Sequence, residues 1–291
     1  MSGISTWRGR SFEVILLAAG ALGVAAGCQA NTDIEPHRGT VTEVLPADAD
    51  ARAAAVSADP VAYLNRVTSK CATLEQYTLT FTRYERRGLL QVLYGPEHIK
   101  CWFRREPFSV RMKWLDENLK YDESTYVAGE EKDQVRFVTR WWSPPLLPPP
   151  SVNKVDLKTP VLFGEAQRPM TDFGLEQMME RTLESLERAG EDVVITYEGL
   201  LQLPENGPTA HFIHLEYPEN QHRAPIQEMY IDVRTDLPAG TIIKYPNGRI
   251  DAAYYYTDIA TDVSLTDEDF LLEAERKQHS DAGNDEQVHG G

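Results

Sequence analysis

The sequence predicts an α+β protein built on one strongly curved antiparallel sheet of about eleven strands, accompanied by two main helices. Three observations carry this expectation. Short runs alternate apolar and polar side chains, most cleanly where Phe108, Val110, Met112 and Trp114 interleave with Ser109, Arg111 and Lys113, the pattern of a half-buried strand. The connections between such runs are short, which joins neighbours antiparallel. So many strands exceed what a flat open sheet holds comfortably, so the sheet should curl strongly.

The chain opens with Arg8 and Arg10 before an apolar run from Val14 to Ala26, ending in Ala25-Ala26-Gly27-Cys28. A basic start, a short apolar stretch and small residues before a cleavage point describe a secretory signal over residues 1–27. The stretch is too short to span a bilayer, which takes about 20 apolar residues. Its end resembles a bacterial lipobox, in which Cys28 becomes the lipid-bearing first residue of the mature chain. The alternative is an ordinary secretory signal that leaves Cys28 a free thiol. Gln29 stands where an Asp would retain a lipoprotein in the inner membrane, which favours the outer one. The expected location is the cell envelope, lipid-anchored and facing the periplasm.

Residues 28–57, rich in Ala, Asp, Thr and Pro, read as a tether. Asp59-Pro60 then starts a helix, with Asp as N-cap and Pro in the first turn. It runs to about Glu75 with Leu64, Val67, Cys71 and Leu74 on one face. Six strands follow: Tyr77 to Thr82, Leu89 to Tyr94, His98 to Arg104, Phe108 to Trp114, Thr125 to Ala128, and Gln134 to Trp141. The prolines of 144–150 cannot donate ladder hydrogen bonds, so this stretch is a linker or a loop over a sheet edge or cavity mouth. Asp172 to Ala189 is the second helix, striped by Leu175, Met179, Leu183 and Leu186 and stopped by Gly190. Five strands complete the set: Val193 to Gln202, Thr209 to Tyr217, Ile226 to Arg234, Thr241 to Tyr245, and Arg249 to Thr257. Pro246-Asn247-Gly248 turns between the last two. A short helical end covers Thr266 to Leu272, which makes 58–272 the folded domain and 273–291 a disordered tail.

Composition limits the chemistry. The chain of 291 residues has a net charge of −16 and 42% hydrophobic residues, enough for a sizeable core and wrong for general nucleic-acid binding. Against that balance, Arg83, Arg86, Arg87, Lys100, Arg104, Arg105, Arg111 and Lys113 crowd one stretch, opposed there by Glu85, Glu97 and Glu106. This is either a solvated sheet face or a contact for anionic headgroups or an acidic partner, with Arg111 and Lys113 at its centre. In an oxidising envelope Cys71 and Cys101, both expected to face the core, could form a disulfide; two buried thiols are the alternative. His211 and His214 sit three apart on a strand and point to opposite faces, so they do not chelate together, and no Cys/His cluster has zinc spacing. Asp172-Phe173-Gly174 is a helix entry. No Gly-rich phosphate loop or Gly-x-Ser-x-Gly turn is present. Neither an enzyme nor a cofactor or metal is expected.

Four segments resemble an uncharacterised bacterial envelope lipoprotein family of the lipoprotein-carrier superfamily, the group that includes LolA and LolB. They are Arg105-Glu106-Pro107-Phe108-Ser109-Val110-Arg111-Met112-Lys113-Trp114, Asp172-Phe173-Gly174-Leu175, Tyr230-Ile231-Asp232-Val233 with Leu237-Pro238, and Tyr256-Thr257-Asp258-Ile259 through Asp269-Phe270. The resemblance, over roughly residues 60–272, implies an unclosed half-barrel with helices on its concave side and an apolar cavity that takes lipid or lipoprotein acyl chains, or a sensor of envelope proteins. In such a half-barrel the inward set Tyr77, Leu79, Phe81, Val110, Met112, Trp114, Phe137, Met229, Ile231 and Val233 either fills a core or lines a ligand cavity. Adaptable Met112 and Met229 would suit variable acyl chains. The expected function is therefore a lipid-anchored binder of a hydrophobic ligand, as acceptor, carrier or sensor. The alternative is an interaction module with a filled core and no ligand.

Overall fold

Eleven antiparallel strands form one unclosed sheet in the order β6-β5-β4-β3-β2-β1-β11-β10-β9-β8-β7. The structure, a computed structural model, describes residues 41, 44–88, 90–140, 152–162, 165–204 and 207–277. The first half contributes β1 (Gln76–Arg87), β2 (Val92–Arg104), β3 (Ser109–Trp114), β4 (Tyr121–Val127), β5 (Gln134–Thr139) and β6 (Asn153–Asp156). The second half contributes β7 (Val194–Gln202), β8 (Thr209–Glu216), β9 (Ile226–Asp232), β10 (Pro238–Lys244) and β11 (Ile250–Ala260). Each strand pairs with its sequence neighbour except at two places. β1 pairs with β11 in mid-sheet, and β6 and β7, consecutive in the chain, lie at opposite edges. The helices are α1 (Ala49–Ala58), α2 (Pro60–Ala72), α3 (Thr159–Leu162) and α4 (Leu175–Ala189).

The expected strand number holds through two offsetting differences. The runs on either side of Gly95-Pro96 are one long strand, β2, and the short edge strand β6 had no clear sequence signal. Gly95 lets β2 continue because it has φ of +127° and lies against β1; a Cβ there would sit 2.6 Å from the Arg83 carbonyl oxygen. The β1–β2 register shifts at this point, between Arg83 and Glu85. Residues 49–58, expected as tether, are helical, and so are 273–277, expected as the start of a disordered tail. The signal segment, Cys28, the proline-rich 144–150 and residues 278–291 lie outside the described residues. Among the described residues no helix is long and apolar enough to cross a membrane.

α2 and α4 cover the inner face of the sheet. The Asp59 side chain caps α2 by accepting from the Ala62 amide at 2.8 Å. Tyr63, Leu64, Val67 and Cys71 of α2, with Leu175, Met178, Met179 and Leu186 of α4, enter one core with Tyr77, Leu79, Ile99, Phe103, Val110, Met229 and Ile231. Tyr77 stacks on Phe103 at 4.5 Å, and its hydroxyl accepts from the first amide of α4, that of Leu175, at 3.0 Å. Cys71 and Cys101 belong to this core as free thiols, which corrects the expected disulfide. The Cys101 thiol donates to the carbonyl of Ile99 on its own strand. Burial pushes the Cys71 thiol up to about 12 and raises that of Cys101 as well, so both stay protonated and unreactive.

The outer face explains the basic stretch. Arg111, 3% exposed, donates to Glu123 at 2.9 Å and to the Asp269 carbonyl at 3.2 Å, with its guanidinium 4.6 Å over the Trp102 ring. Lys113 pairs with Glu273 and lies 3.5 Å from Glu123. Arg104 pairs with Asp267 at 2.7 Å and covers the Phe270 ring at 4.7 Å, and Arg136 pairs with Glu275 at 3.1 Å. Thr266 and Asp269 close a capping box around the short turn Asp267–Phe270, which presents Phe270 to the sheet. The acidic segment 267–275 of the same chain thus occupies the basic face. The expectation of an acidic partner or anionic headgroups at Arg111 and Lys113 is corrected accordingly: those charges are already paired within the chain, and Arg111 is desolvated.

A second cluster holds the long β1–β2 pair. Glu97 of β2 accepts from Arg83 at 2.5 Å, from Arg87, and from the Trp114 indole at 3.3 Å. Burial pushes the Glu97 carboxyl up, but the guanidiniums of Arg83 and Arg87 outweigh it and hold it at about 2. Its folded value is below its unfolded one, so this cluster stabilises fully above about pH 4.5 and is lost as pH falls towards 2. Urea midpoints measured from pH 6 to pH 2.5 should fall less steeply in Glu97→Gln than in the wild type. On the outer face, Glu123→Ala strands the Arg111 charge out of water and should cost about 3–5 kcal/mol of unfolding free energy. The double change Arg111→Met/Glu123→Leu should recover part of that loss in the same urea titration.

Candidate functional site

Where α2 and α4 do not fill the inner face, a cavity of about 460 Å³ remains. Its lining comes from β1, β3–β6, β9–β11 and residues 217–224 on the sheet side and from α4 with residues 159–160 and 165–174 on the other. The chain passes this way because β6 and β7 sit at opposite sheet edges, so the segment between them must cross the inner face. On α4 the cavity-lining positions Met178, Arg181, Thr182 and Ser185 follow an i, i+3, i+4, i+7 stripe, one flank of the helix. The other flank, with Leu175, Met179 and Leu186, is packed in the core.

Aromatic side chains from β1, β3, β4, β5 and β11 meet in the cavity wall. Phe81 touches Tyr256 at 5.5 Å, Tyr254 at 5.6 Å and Phe173 at 5.6 Å between ring centres. Trp114 and Tyr121 meet at 5.6 Å, and Tyr121 meets Phe137 at 5.8 Å. Such contacts between rings add to their area burial and stiffen the wall. Of the ten inward residues read from the sequence, Phe81, Met112, Trp114 and Phe137 line the cavity. Tyr77, Leu79, Val110, Met229 and Ile231 instead lie in the packed core, and Val233 is fully buried at the end of β9. Tyr77, Leu79 and Phe81 share a face of β1, but α2 and α4 cover the Tyr77–Leu79 end and leave the Phe81 end open.

Polar groups enter the wall in sets. Gln227 donates to Thr182 at 3.0 Å and to Thr241 at 3.3 Å. Tyr254 donates to Glu85 at 2.7 Å; burial, first, and then the Glu85 charge push its hydroxyl well above the ordinary tyrosine value. Lys120 pairs with Glu165 at 2.6 Å. Arg181 donates from Nη1 to the Asp172 carbonyl at 2.9 Å, while Arg168 stands 3.7 Å from the Asp172 carboxylate. Tyr254 and Tyr256 alternate legibly along β11 and belong to the candidate set, although the sequence reading passed over them. Phe173 stood out only within the Asp172-Phe173-Gly174 helix entry, and Arg168 and Arg181 had no signal of a site; their place in the crossing segment and on α4 brings all three to the cavity.

His211 and His214 stay apart, as their spacing predicts. His211 is fully buried, with Nδ1 3.0 Å from the Tyr197 hydroxyl and its ring edge-on to Tyr63 at 5.4 Å. Burial lowers its pKa, which keeps the imidazole neutral. Among the described residues no group of three or more His, Cys, Asp or Glu side chains is placed to hold a metal ion.

Several solved structures are similar to this chain. The MucA/MucB complex of Pseudomonas aeruginosa matches at 17% identity over 75% of this chain and 62% of that one, with a TM-score of 0.42. The lipoprotein LppX of Mycobacterium tuberculosis matches at 8% identity over 72% of this chain and 100% of that one, with a TM-score of 0.41. A LolA superfamily protein of Nitrosomonas europaea, NE2245, matches at 8% identity over 73% and 97%, with a TM-score of 0.29. The chain spans less than two thirds of the MucB chains it matches, 64% in the free MucB structure. None of the curated proteins matches in sequence. A family model covers residues 74–278, most of the chain, and by that match the protein belongs to the family described as Protein of unknown function (DUF1571).

Proposed function

We propose that this protein binds the apolar chain of a lipid or of a lipoprotein's acyl group in its inner-face cavity, and that it does so from the cell envelope, held to the membrane through a lipidated Cys28. The observation that carries this reading is the cavity itself. At about 460 Å³ it falls within the range of ligand pockets, and more of its wall is apolar than polar, with aromatic side chains on the strands and charged ones towards α4 and the crossing segment, a lining that can bury the apolar part of a ligand. Phe81, Met112, Trp114 and Phe137 are the four inward residues that would touch the chain, joined by Phe173, Tyr254 and Tyr256. The remaining inward residues act as the packed floor that keeps the cavity from collapsing. A membrane anchor fits a stationary acceptor or sensor better than a shuttle. The alternative, an interaction module with no ligand, is weaker on the outer face, because the basic strip it would use is covered by the chain's own residues 267–275.

Native mass spectrometry of the full chain, extracted from the membranes of the expressing bacterium, should show a bound lipid that departs on activation. A tightly folded protein recovered empty, and unable to take up oleyl alcohol, would overturn the reading. Ser185→Trp, which points a large ring into the cavity from α4, should weaken uptake about ten-fold or more while shifting the melting temperature by only a few degrees.

A further inference from the structure

The cavity wall carries an imbalance of charge that an apolar ligand alone does not explain. The chain is acidic, with a net charge of −16. Yet the cavity is lined by the basic side chains Arg83, Lys120, Arg168 and Arg181 against the carboxylates Glu85 and Glu165. Two of these cations are matched: Arg83 by Glu97 at 2.5 Å and Glu85 at 3.6 Å, and Lys120 by Glu165 at 2.6 Å. Arg168 reaches the Asp172 carboxylate only at 3.7 Å and stays half exposed. Arg181 differs from all of them. Among the described residues it has no carboxylate within ion-pair distance, and its one hydrogen bond is the single Nη1 donation to the Asp172 carbonyl.

An arginine offers five N–H donors. The Arg181 side chain lines the cavity, and none of its nitrogens is sealed away without a partner, so its remaining donors open on the cavity space. Burial, first, and the positive charge of Arg168 next to it both lower its pKa. A guanidinium placed in a low-dielectric wall beside a second one, with the nearby Asp172 carboxylate shared with Arg168 and outside ion-pair contact with Arg181, is an electrostatic host for an anion. The Tyr256 phenol lies within electrostatic reach of both guanidiniums.

Building on the proposed lipid-binding function, we infer that Arg181, with Arg168 beside it, receives the anionic head group of an amphiphile, a carboxylate or a phosphate, whose apolar chain lies along Phe81, Trp114 and Phe137. The ligand class is therefore narrower than a hydrophobic molecule: one end is charged and the site is built to hold it. A planar guanidinium can take both oxygens of such a group in a fork, while Arg168 supplies further positive charge from the rim.

The test compares oleate, oleyl alcohol and lysophosphatidate binding to the full chain by displacement of a fluorescent fatty-acid probe. Wild-type protein should prefer an anionic ligand to oleyl alcohol by about ten-fold or more, the scale of one charge-assisted hydrogen bond. Which of oleate and lysophosphatidate binds more tightly distinguishes the carboxylate from the phosphate head. Arg181→Gln should abolish the preference, read as the ratio of anionic-ligand to oleyl alcohol affinity within the same variant, Arg181→Lys should retain part of it, and Arg168→Gln, at a half-exposed position, should reduce it less. Oleyl alcohol bound as tightly as both anions by the wild type would overturn the head-group inference while the lipid-binding reading stands. A preference unchanged in Arg181→Gln would do the same. Failure to bind any of the three ligands would overturn both.

Discussion

β1 and β11 lie side by side in mid-sheet, with Thr78 opposite Ala260 and Glu85 opposite Ala252. This pairing of the first and last strands constrains everything else. Each half of the chain is a simple meander of antiparallel neighbours, and within the sheet the two meanders meet at that ladder. Their far ends, β6 and β7, then become the two edges of the sheet although they follow one another in the chain. The connection between them cannot be a tight turn. It has to cross the inner face, and it brings α3, Phe173 and α4 with it. The cavity is the space left between this crossing segment and the strands it crosses.

The two faces of the sheet use opposite solutions to the same problem of covering a large surface. On the inner face the cover is apolar: α2 and α4 interlock with β1–β3 and β8–β9 and leave the cavity to one side. On the outer face the cover is ionic and short. Arg104, Arg111, Lys113 and Arg136 receive Asp267, Asp269, Glu273 and Glu275 or their carbonyls, and Phe270 is the apolar peg among them. Pairs of this kind, removed from water, give little net stability over an apolar contact but penalise every arrangement in which one member lacks its partner. They fix where the C-terminal segment sits more than how strongly it is held.

The architecture was legible because it is written in local patterns. Local patterning marked ten of the eleven strands, Asp59-Pro60 and Gly190 marked helix ends, strand number called for strong curvature, and the family resemblance implied that the sheet stays unclosed. What was not legible depends on distant partners. Gly95-Pro96 reads as a break, but the close approach of the Arg83 carbonyl makes it a bulge inside one strand. The basic stretch reads as a surface because several of the acids that neutralise it lie about 160 positions away in sequence, as for Arg104 with Asp267 and Lys113 with Glu273. The candidate site was legible by half. Period-two alternation identifies the inner face, so Phe81, Met112, Trp114 and Phe137 could be found. It cannot say which part of that face the helices cover, so Tyr77, Leu79 and Val110 carried the same signal and went to the core. Arg168 and Arg181 had no signal, because their role depends on a crossing segment that no local pattern announces.

An unclosed sheet leaves two rows of unpaired amides and carbonyls, an invitation to pair with other chains. Here each edge is blunted differently. β6 is only four residues long and presents Lys154 and Asp156. β7 is longer, but its register breaks between Tyr197 and Gly199, where Gly199 takes φ of +100°. A short charged edge and a kinked one make poor templates for a further strand. Edges of this kind let copies of the chain crowd together without polymerising through their sheets.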